Sequence, residues 1–372
     1  MKASILSMQK VENFGSLLQA YSLKRMLEEL GCEVSFIDIQ RIEEDDRLLE
    51  GKVDHFGYEC NGSKSMFAKL KKIDRYALNR IRIKKLFNKQ IELFEEFRRN
   101  ELNIKEEDNA GTYDICVIGS DEVFNCNNAS SWGFTSQLFG NVKQADKVIT
   151  YAASCGSTVY KNTRLAVRDK IRKTFNGVSA FSVRDSNTYN FVKQLTTKTI
   201  QEHMDPVVVG NFDKEIAGCA LPQGLPKKYC VVYSYYNRFH KPEEIRSIKN
   251  FCKEKNLELV AVGAPQMWIK RYLVLTPFQT LKLFQQADFV ITDTFHGTIF
   301  SAKYAKRFAA LTRNSNSNKL LNLIQKMGLE KHLIKSLDQL SQVYEITVDK
   351  EKIGTISSDE RKRTIDYLRN NL

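Results

Sequence analysis

From Asp288 to Lys306 the chain passes from an apolar run, through a polar break, into apolar residues at helical spacing. Phe289, Val290 and Ile291 are consecutive and apolar, the pattern of a strand covered on both faces, and predict a buried parallel strand. Ile299, Phe300, Ala302 and Ala305 then fall at helical spacing. A parallel strand needs a crossover to its neighbour, usually a helix, so this unit commits the chain to an α/β architecture. His296 and Gly297 occupy the corner where strand ends and helix begins. In open α/β sheets ligands bind there, because unpaired helix N–H groups and the helix dipole converge on the crevice. Gly297 lets a ligand approach the backbone, and His296 brings a group that titrates near neutral pH. A plain strand–loop–helix corner with a structural histidine accounts for the same local pattern.

The unit recurs in two blocks. In the first, Ser4–Met8 reads as a strand, Gln9 to Phe14 as a polar turn, and Ser16 to Leu30 as a helix with an apolar face. Gly31 stops that helix and Glu33–Ile39 resumes as a strand, a β-α-β opening that lacks the G-x-G-x-x-G dinucleotide fingerprint. Further strands are expected at Asp114–Gly119, Val148–Ala153 and Ala180–Val183, closed by a helix at Asp185–Leu195. Asp205-Pro206 reads as a turn between domains, and Asn211–Pro226, with two Gly and two Pro, as a linker. The second block has expected strands at Tyr229–Tyr235, Leu257–Val262 and Phe289–Thr292, and helices near Pro242–Glu254, Pro277–Gln286 and Ile299–Lys306. The expected fold is therefore α/β, two facing Rossmann-like domains whose parallel sheets are flanked by helices. Residues 1–210 form the first, with a basic helical insertion near 41–109; 211–345 form the second; 346–372 is a helical tail that can pack back on the first.

At 372 residues the chain has the length of about two domains. Eight cysteines form no C-x-x-C pair, and Cys116, Cys230 and Cys252 sit in apolar runs, which predicts reduced, buried thiols rather than disulfides or zinc. The apolar run at the start is too short for a signal peptide, and none approaches the roughly 20 residues that span a bilayer. A cytoplasmic protein is expected. The net charge of +13 calls for an anionic partner: nucleic acid, a membrane surface or a phosphorylated small molecule. Without zinc-finger spacing, an RNP-like motif or a Gly-Arg tract, nucleic acid is set aside. Between Lys64 and Arg99 twelve Lys or Arg stand against four acidic residues, a net +8. Met66, Phe67, Leu70, Ile73 and Ala77 follow helical spacing there, as do Phe87, Ile91, Phe94 and Phe97. Such a basic amphipathic helix can lie peripherally on the anionic inner face of a membrane, or pack on its own domain with a solvated basic face.

Each expected strand end carries small or polar residues. Asn13, Phe14, Gly15 and Ser16 can hold a phosphate or carboxylate on helix N–H groups, or simply make a tight turn. Gly119, Ser120, Asp121 and Glu122 suit close ligand approach, with a carboxylate for sugar hydroxyls; a capping turn explains them as well. Arg184 at the end of Ser182-Val183-Arg184-Asp185 matches a carboxylate or phosphate bidentately, or pairs with Asp185 at the surface. Tyr151-Ala152-Ala153-Ser154-Cys155-Gly156 ends another strand, and Cys155 lacks a nameable orienting partner for thiol chemistry. No cluster has metal-ligand spacing, so no metal is expected.

The ordered set Asn13-Phe14-Gly15, Gly119-Ser120-Asp121, Tyr151-Ala152-Ala153-Ser154, Ser182-Val183-Arg184-Asp185, Asp205-Pro206 and Thr292–Gly297 resembles the polysaccharide pyruvyl transferase family. So does Lys319-Leu320-Leu321 running to Met327-Gly328-Leu329. The resemblance covers nearly the whole chain and implies a GT-B-like arrangement of the two domains. It implies transfer of a pyruvyl group from phosphoenolpyruvate, a co-substrate with no further cofactor, to two hydroxyls of a sugar in a cell-envelope polysaccharide or lipid-linked precursor, forming a cyclic ketal. The essential histidine falls on His296. Donor binding falls on Arg184 with Thr294, Phe295, Gly297 and Thr298, and the acceptor side or cleft lining on Asn13, Gly15, Ser16, Ser120, Asp121 and Ser154. Many characterised members carry an arginine two residues before the histidine, where this chain has Thr294. That removes a charge-assisted contact worth about 1.5–3 kcal/mol. Either the helix backbone at Gly297 compensates, or the donor differs, or catalysis is lost. Two further readings follow: a GT-B glycosyltransferase using a nucleotide sugar, and a non-catalytic member of a glycan assembly complex.

Overall fold

The computed structural model describes residues 1–46, 48, 77–126, 134–313 and 317–372. The apolar runs become two parallel sheets. The first holds β1 (Lys2–Leu6), β2 (Glu33–Phe36), β3 (Tyr113–Ile118), β4 (Ala145–Thr150), β5 (Val178–Val183) and β6 (Ile200–Glu202) in the order β2-β1-β3-β4-β5-β6. The second holds β7 (Tyr229–Ser234), β8 (Glu258–Gly263), β9 (Arg271–Tyr272), β10 (Phe289–Thr292), β11 (Phe308–Leu311) and β12 (Leu333–Ile334) in the order β12-β11-β10-β7-β8-β9. Every pairing is parallel. Strand order reverses between β1 and β3 in one sheet and between β7 and β10 in the other, and crevices beyond such strand ends are the ligand sites of open α/β sheets. The fold is α/β with two Rossmann-like domains.

The helices are α1 (Phe14–Glu29), α2 (Glu43–Asp46), α3 (Ala77–Phe97), α4 (Leu165–Phe175), α5 (Ser186–Lys193), α6 (Pro206–Val209), α7 (Asp213–Gly218) and α8 (Pro242–Glu254). Then come α9 (Pro277–Gln286), α10 (Phe295–Tyr304), α11 (Ser317–Met327), α12 (Leu340–Tyr344) and α13 (Lys350–Asn371). Their starts follow local chemistry. Asn13 caps α1 by accepting from Ser16 N at 2.7 Å, and Thr276 with Gln279 closes a capping box on α9, whose first turn holds Pro277.

One core runs through both halves. Ile5, Ile115 and Val117 of the first sheet and Val231, Tyr233 and Val260 of the second belong to the same buried cluster, bridged by α1, α9 and α10. Tyr21 and Phe97 each meet Phe278 edge to face at 5.2 Å, so rings from both halves interlock. Each buried aromatic contributes about 1.5–3 kcal/mol, which makes this joint a packed core rather than a hinge. α3 reinforces it. Phe94 packs edge-on against Phe14 at 4.9 Å, and buried Gln90 exchanges two hydrogen bonds with the Leu275 backbone, at 2.8 and 3.1 Å. α13 returns to the first sheet, where Tyr367 donates to Thr150 O at 2.8 Å and Glu360 accepts from Met204 N at 2.7 Å.

Several expectations need correction. β6, β9, β11 and β12 were not anticipated; three have only two or three residues, and Phe308-Ala309-Ala310-Leu311 is half alanine, a poor strand former. The stretch read as a linker, Asn211–Pro226, contains α7. α10 begins at Phe295, so His296 lies inside its first turn. Of the basic stretch, residues 64–76 and the side chains of 77–80 lie outside the described residues, and with them the spacing from Met66 to Ala77. Among the described residues, no helix is long and apolar enough to cross a membrane.

Candidate active site

Arg184 leaves the carboxyl end of β5 and turns into the space between the sheets, where its side chain is 3% exposed. A buried guanidinium needs counter-charge. Asp205, wholly buried, supplies it at 2.6 Å from Nη1, and Asp121 stands 3.5 Å from Nη2. The Phe295 ring lies under the guanidinium at 4.4 Å. Burial opposes the charge, but Asp205, Asp121 and Asp185 outweigh it and hold the arginine protonated more firmly than usual. Burial likewise works against the Asp205 carboxylate, yet His296, Arg184 and the Val207 amide keep it well below the ordinary carboxylate range.

Asp205 caps α6, its Oδ1 accepting from Val207 N at 2.9 Å, which leaves Oδ2 facing the cleft. His296 Nε2 stands 3.5 Å from that oxygen. The opposite side of the imidazole is defined by Gly15, where any Cβ would come within 2.1 Å of His296 Nδ1. The first turn of α1 and the first turn of α10 thus meet, one from each half, and glycine is what lets them. Among the described residues, Arg184 Nε is a buried donor without a partner, and Arg184 Nη2 and His296 Nε2 have nothing closer than their ion-pair carboxylates at 3.5 Å. Such atoms cost stability unless a ligand satisfies them.

α11 forms the opposite wall. Lys319, Asn322, Leu323 and Lys326 recur at helical spacing on one face and line a narrow cleft with Arg184, Asp205 and Phe295. Lys319 pairs with Glu122 at 2.7 Å and Lys326 with Glu202 at 3.0 Å, both across from the first sheet. Lys326 also donates to Arg184 O at 3.2 Å. Burial would raise Glu122, but Lys319, Asn125 and Arg184 bring it down to about 2. The cleft therefore collects an arginine, two lysines and a histidine around fixed carboxylates. Among the described residues, no group of three or more His, Cys, Asp or Glu is arranged to hold a metal ion.

The expected site residues divide. His296, Arg184, Phe295, Gly15 and Asp121 come together, and Ser16 joins them through its hydroxyl, which donates to Asp121 at 3.1 Å. Thr294 caps α10: its Oγ1 accepts from Gly297 N at 3.0 Å and its carbonyl from Thr298 N at 3.1 Å. The amides at Gly297 and Thr298 are thereby engaged and do not form an open anion cradle. The close approach that Gly297 permits is by Thr292, Thr294 and Tyr233 of the chain itself, not by a ligand. Asn13 is likewise spent on its cap. Ser120 and Ser154 are fully buried, donating to Ala152 O and to Asp185 Oδ2 at 2.8 Å each, and the Ser120 hydroxyl also lies 3.4 Å from Asp205 Oδ2. Cys155 is buried behind Thr188 and Asn187, with burial pushing its thiol far up.

Asp205, Lys319 and Lys326 were not singled out as site residues from sequence. Asp205-Pro206 reads from sequence as a turn between domains, whereas the structure makes it the cap and first residue of α6. The lysines carried a usable signal, two cations seven residues apart on one helical face, but nothing local says what that face meets.

A narrow cleft between two Rossmann-like domains, lined by an arginine, lysines and a histidine, is what fold and site define. The sequence profile of the family "Polysaccharide pyruvyl transferase" matches residues 13–315, and the chain belongs to that family. No curated protein matches it. Similar solved structures include a UDP-GlcNAc 2-epimerase from Methanocaldococcus jannaschii, 12% identical with a TM-score of 0.49, covering 99% of this chain and 100% of that one. Another is UGT89C1 of Arabidopsis thaliana complexed with quercetin, 10% identical, TM-score 0.46, with 99% and 98% covered. A third is the S. aureus MnaA–UDP co-structure, 11% identical, TM-score 0.46, with 100% and 97% covered. Identities this low say nothing about substrate.

Proposed function

We propose that the protein transfers the pyruvyl group of phosphoenolpyruvate to a sugar of a cell-envelope polysaccharide or its lipid-linked precursor, forming a ketal. The observation that carries this reading is Arg184 and His296, buried with donor atoms to spare and held over one carboxylate inside a family fold. Arg184 binds the donor carboxylate or phosphate; Lys319 and Lys326 face it from α11, their charges already shared with Glu122 and Glu202. His296, with Asp205 as its counter-charge, delivers a proton to the methylene carbon of the donor. The C2–C3 π electrons take that proton, C3 becomes a methyl group, and a sugar hydroxyl attacks the electron-poor C2 and loses its proton. Phosphate then leaves with the C2–O electron pair, the neighbouring hydroxyl closes the ring, and its proton is taken up by a base of the cleft. General acid–base assistance of this kind is worth about 10²–10⁴-fold. The Asp121 carboxylate, held by Ser16, is positioned to receive a hydroxyl proton. Peripheral contact with an anionic membrane through Arg82, Lys85 and Lys89 on the exposed face of α3 would bring a lipid-linked acceptor near.

The test is a transfer assay with donor labelled with carbon-13 at C3 and a panel of envelope saccharides. A methyl carbon on a ketal, with stoichiometric inorganic phosphate, is the expected product. Phosphate release without a ketal, or transfer of a glycosyl unit from a nucleotide sugar, overturns the proposal.

A further inference from the structure

Beyond the carboxyl end of β7, at the reversal point of the second sheet, the chain carries Tyr235 and Tyr236 with exposures of 47% and 49%. Tyr229, Tyr233, Tyr272 and Tyr304 in the same half are buried. The loop that presents the exposed pair is fixed from beneath. Buried Gln266 donates to Tyr235 O at 2.8 Å and accepts from Phe239 N at 3.2 Å, and Asn237 N donates to Pro265 O at 3.1 Å. The Arg238 guanidinium lies 5.3 Å from the centre of the Tyr235 ring. A fixed loop thus presents two neighbouring half-exposed aromatic rings, a surface on which the face of a ligand ring can stack.

Register places them by the site. Tyr233 pairs with Thr292 and the Ser234 hydroxyl donates to Asp293, so Tyr235 stands level with Thr294, two residues from His296. Lys319, Glu122 and Asp121, the groups that close the cleft, lie within electrostatic reach of its hydroxyl. Among the described residues, the charges on the ledge beside the rings are matched: Arg238 and Arg313 both pair with Asp293, and Arg313 pairs with Glu244 as well. Two cations against two carboxylates do not attract a pyrophosphate. They suit a neutral, polyhydroxylated ligand.

We propose that Tyr235 and Tyr236 form the platform of the acceptor subsite. The C–H face of a pyranose ring stacks on the phenol rings, and its hydroxyls turn toward Asp121, Glu122 and His296. This assignment rests on a saccharide acceptor and takes the donor site as a separate matter.

Saturation-transfer NMR on the full chain tests it, with millimolar methyl glycosides of galactose, mannose and N-acetylmannosamine as probes. Transfer to the ring protons of at least one glycoside is expected, reduced about fivefold in Tyr235→Ala/Tyr236→Ala, the size of a lost aromatic contact, and kept in the corresponding Phe pair. The single variant Tyr236→Ala, at a half-exposed position, is expected to show an intermediate loss and stands in if the pair does not fold. No transfer to any glycoside, undiminished transfer in the Ala variants, or displacement by UDP each overturns the platform. A parallel phosphoenolpyruvate titration is expected to be unchanged by these substitutions. If that donor fails to bind while the sugar signal persists, pyruvyl transfer falls and the platform stands.

Discussion

Replacing Asp205 by asparagine keeps the shape of the side chain and removes its charge. The carboxylate is wholly buried, 2.6 Å from Arg184 and 3.5 Å from His296, and its ionised form is favoured by both. Removing one partner of a buried pair costs roughly 3–5 kcal/mol, because the other charge is left uncompensated. Asparagine retains an oxygen for Val207 N, and Asp121 remains near the guanidinium, so a loss of about 3 kcal/mol is expected. That is several degrees of melting temperature, measurable by circular dichroism. Function separates the site account from a purely structural one. Asp205 competes with an anionic donor for Arg184, so Asp205→Asn should bind phosphoenolpyruvate at least as tightly as wild type. It also loses the group that orients His296, so kcat should fall about 10²–10⁴-fold. A kcat within a few-fold of wild type, or a loss confined to KM, would refute this reasoning.

Three further outcomes follow from the same geometry. His296→Ala should lose turnover and leave the melting temperature close to wild type; retained turnover in a coupled phosphate-release assay removes the histidine from the mechanism. Gly15→Ala places a methyl group 2.1 Å from His296 Nδ1, so the imidazole must move, and kcat should fall while far-UV dichroism stays unchanged; an active Gly15→Ala enzyme contradicts the assigned ring position. Glu122 is held at about 2 against an ordinary 4.5, so its pair with Lys319 contributes fully above about pH 4.5 and is lost as pH falls toward 2. The side chain is 26% exposed, and the shift corresponds to about 3 kcal/mol at most. Glu122→Gln should therefore flatten the acid limb of the stability profile in urea titrations, and an unchanged limb would show that the pair is not the cause.

Much of this architecture is legible locally. Phe289-Val290-Ile291 and Tyr229–Ser234 are apolar at nearly every position because both their faces are covered, and Pro242 and Pro277 mark helix starts through geometry that proline already has. The short strands escape because two or three residues carry no period, and they are defined by neighbours far away in sequence. The site shows the same division. His296 is visible because a histidine at a strand–helix corner is unusual chemistry in an informative place. Asp205 is not, since its partners Arg184 and His296 lie 21 and 91 positions away and an Asp-Pro pair already has a sufficient local explanation as a helix cap. Gly297 misleads for the same reason: a glycine announces that something approaches closely, and only the fold says that it is Thr292 and Tyr233 rather than a ligand. Thr294 is explained in part. Its hydroxyl caps α10, a role arginine cannot fill.

The central claim is that Arg184 and His296 form a site for phosphoenolpyruvate. Calorimetric titration of wild type and Arg184→Ala with phosphoenolpyruvate, UDP and GDP tests it most directly, with a thermal shift as the second readout. A ligand at 100 times its Kd stabilises the fold by about 2.7 kcal/mol, which the thermal shift detects. Saturable binding of phosphoenolpyruvate to wild type, weakened at least tenfold in Arg184→Ala and absent for both nucleotides, is the predicted result. Binding of a nucleoside diphosphate in its place, or phosphoenolpyruvate affinity indifferent to Arg184, would contradict it.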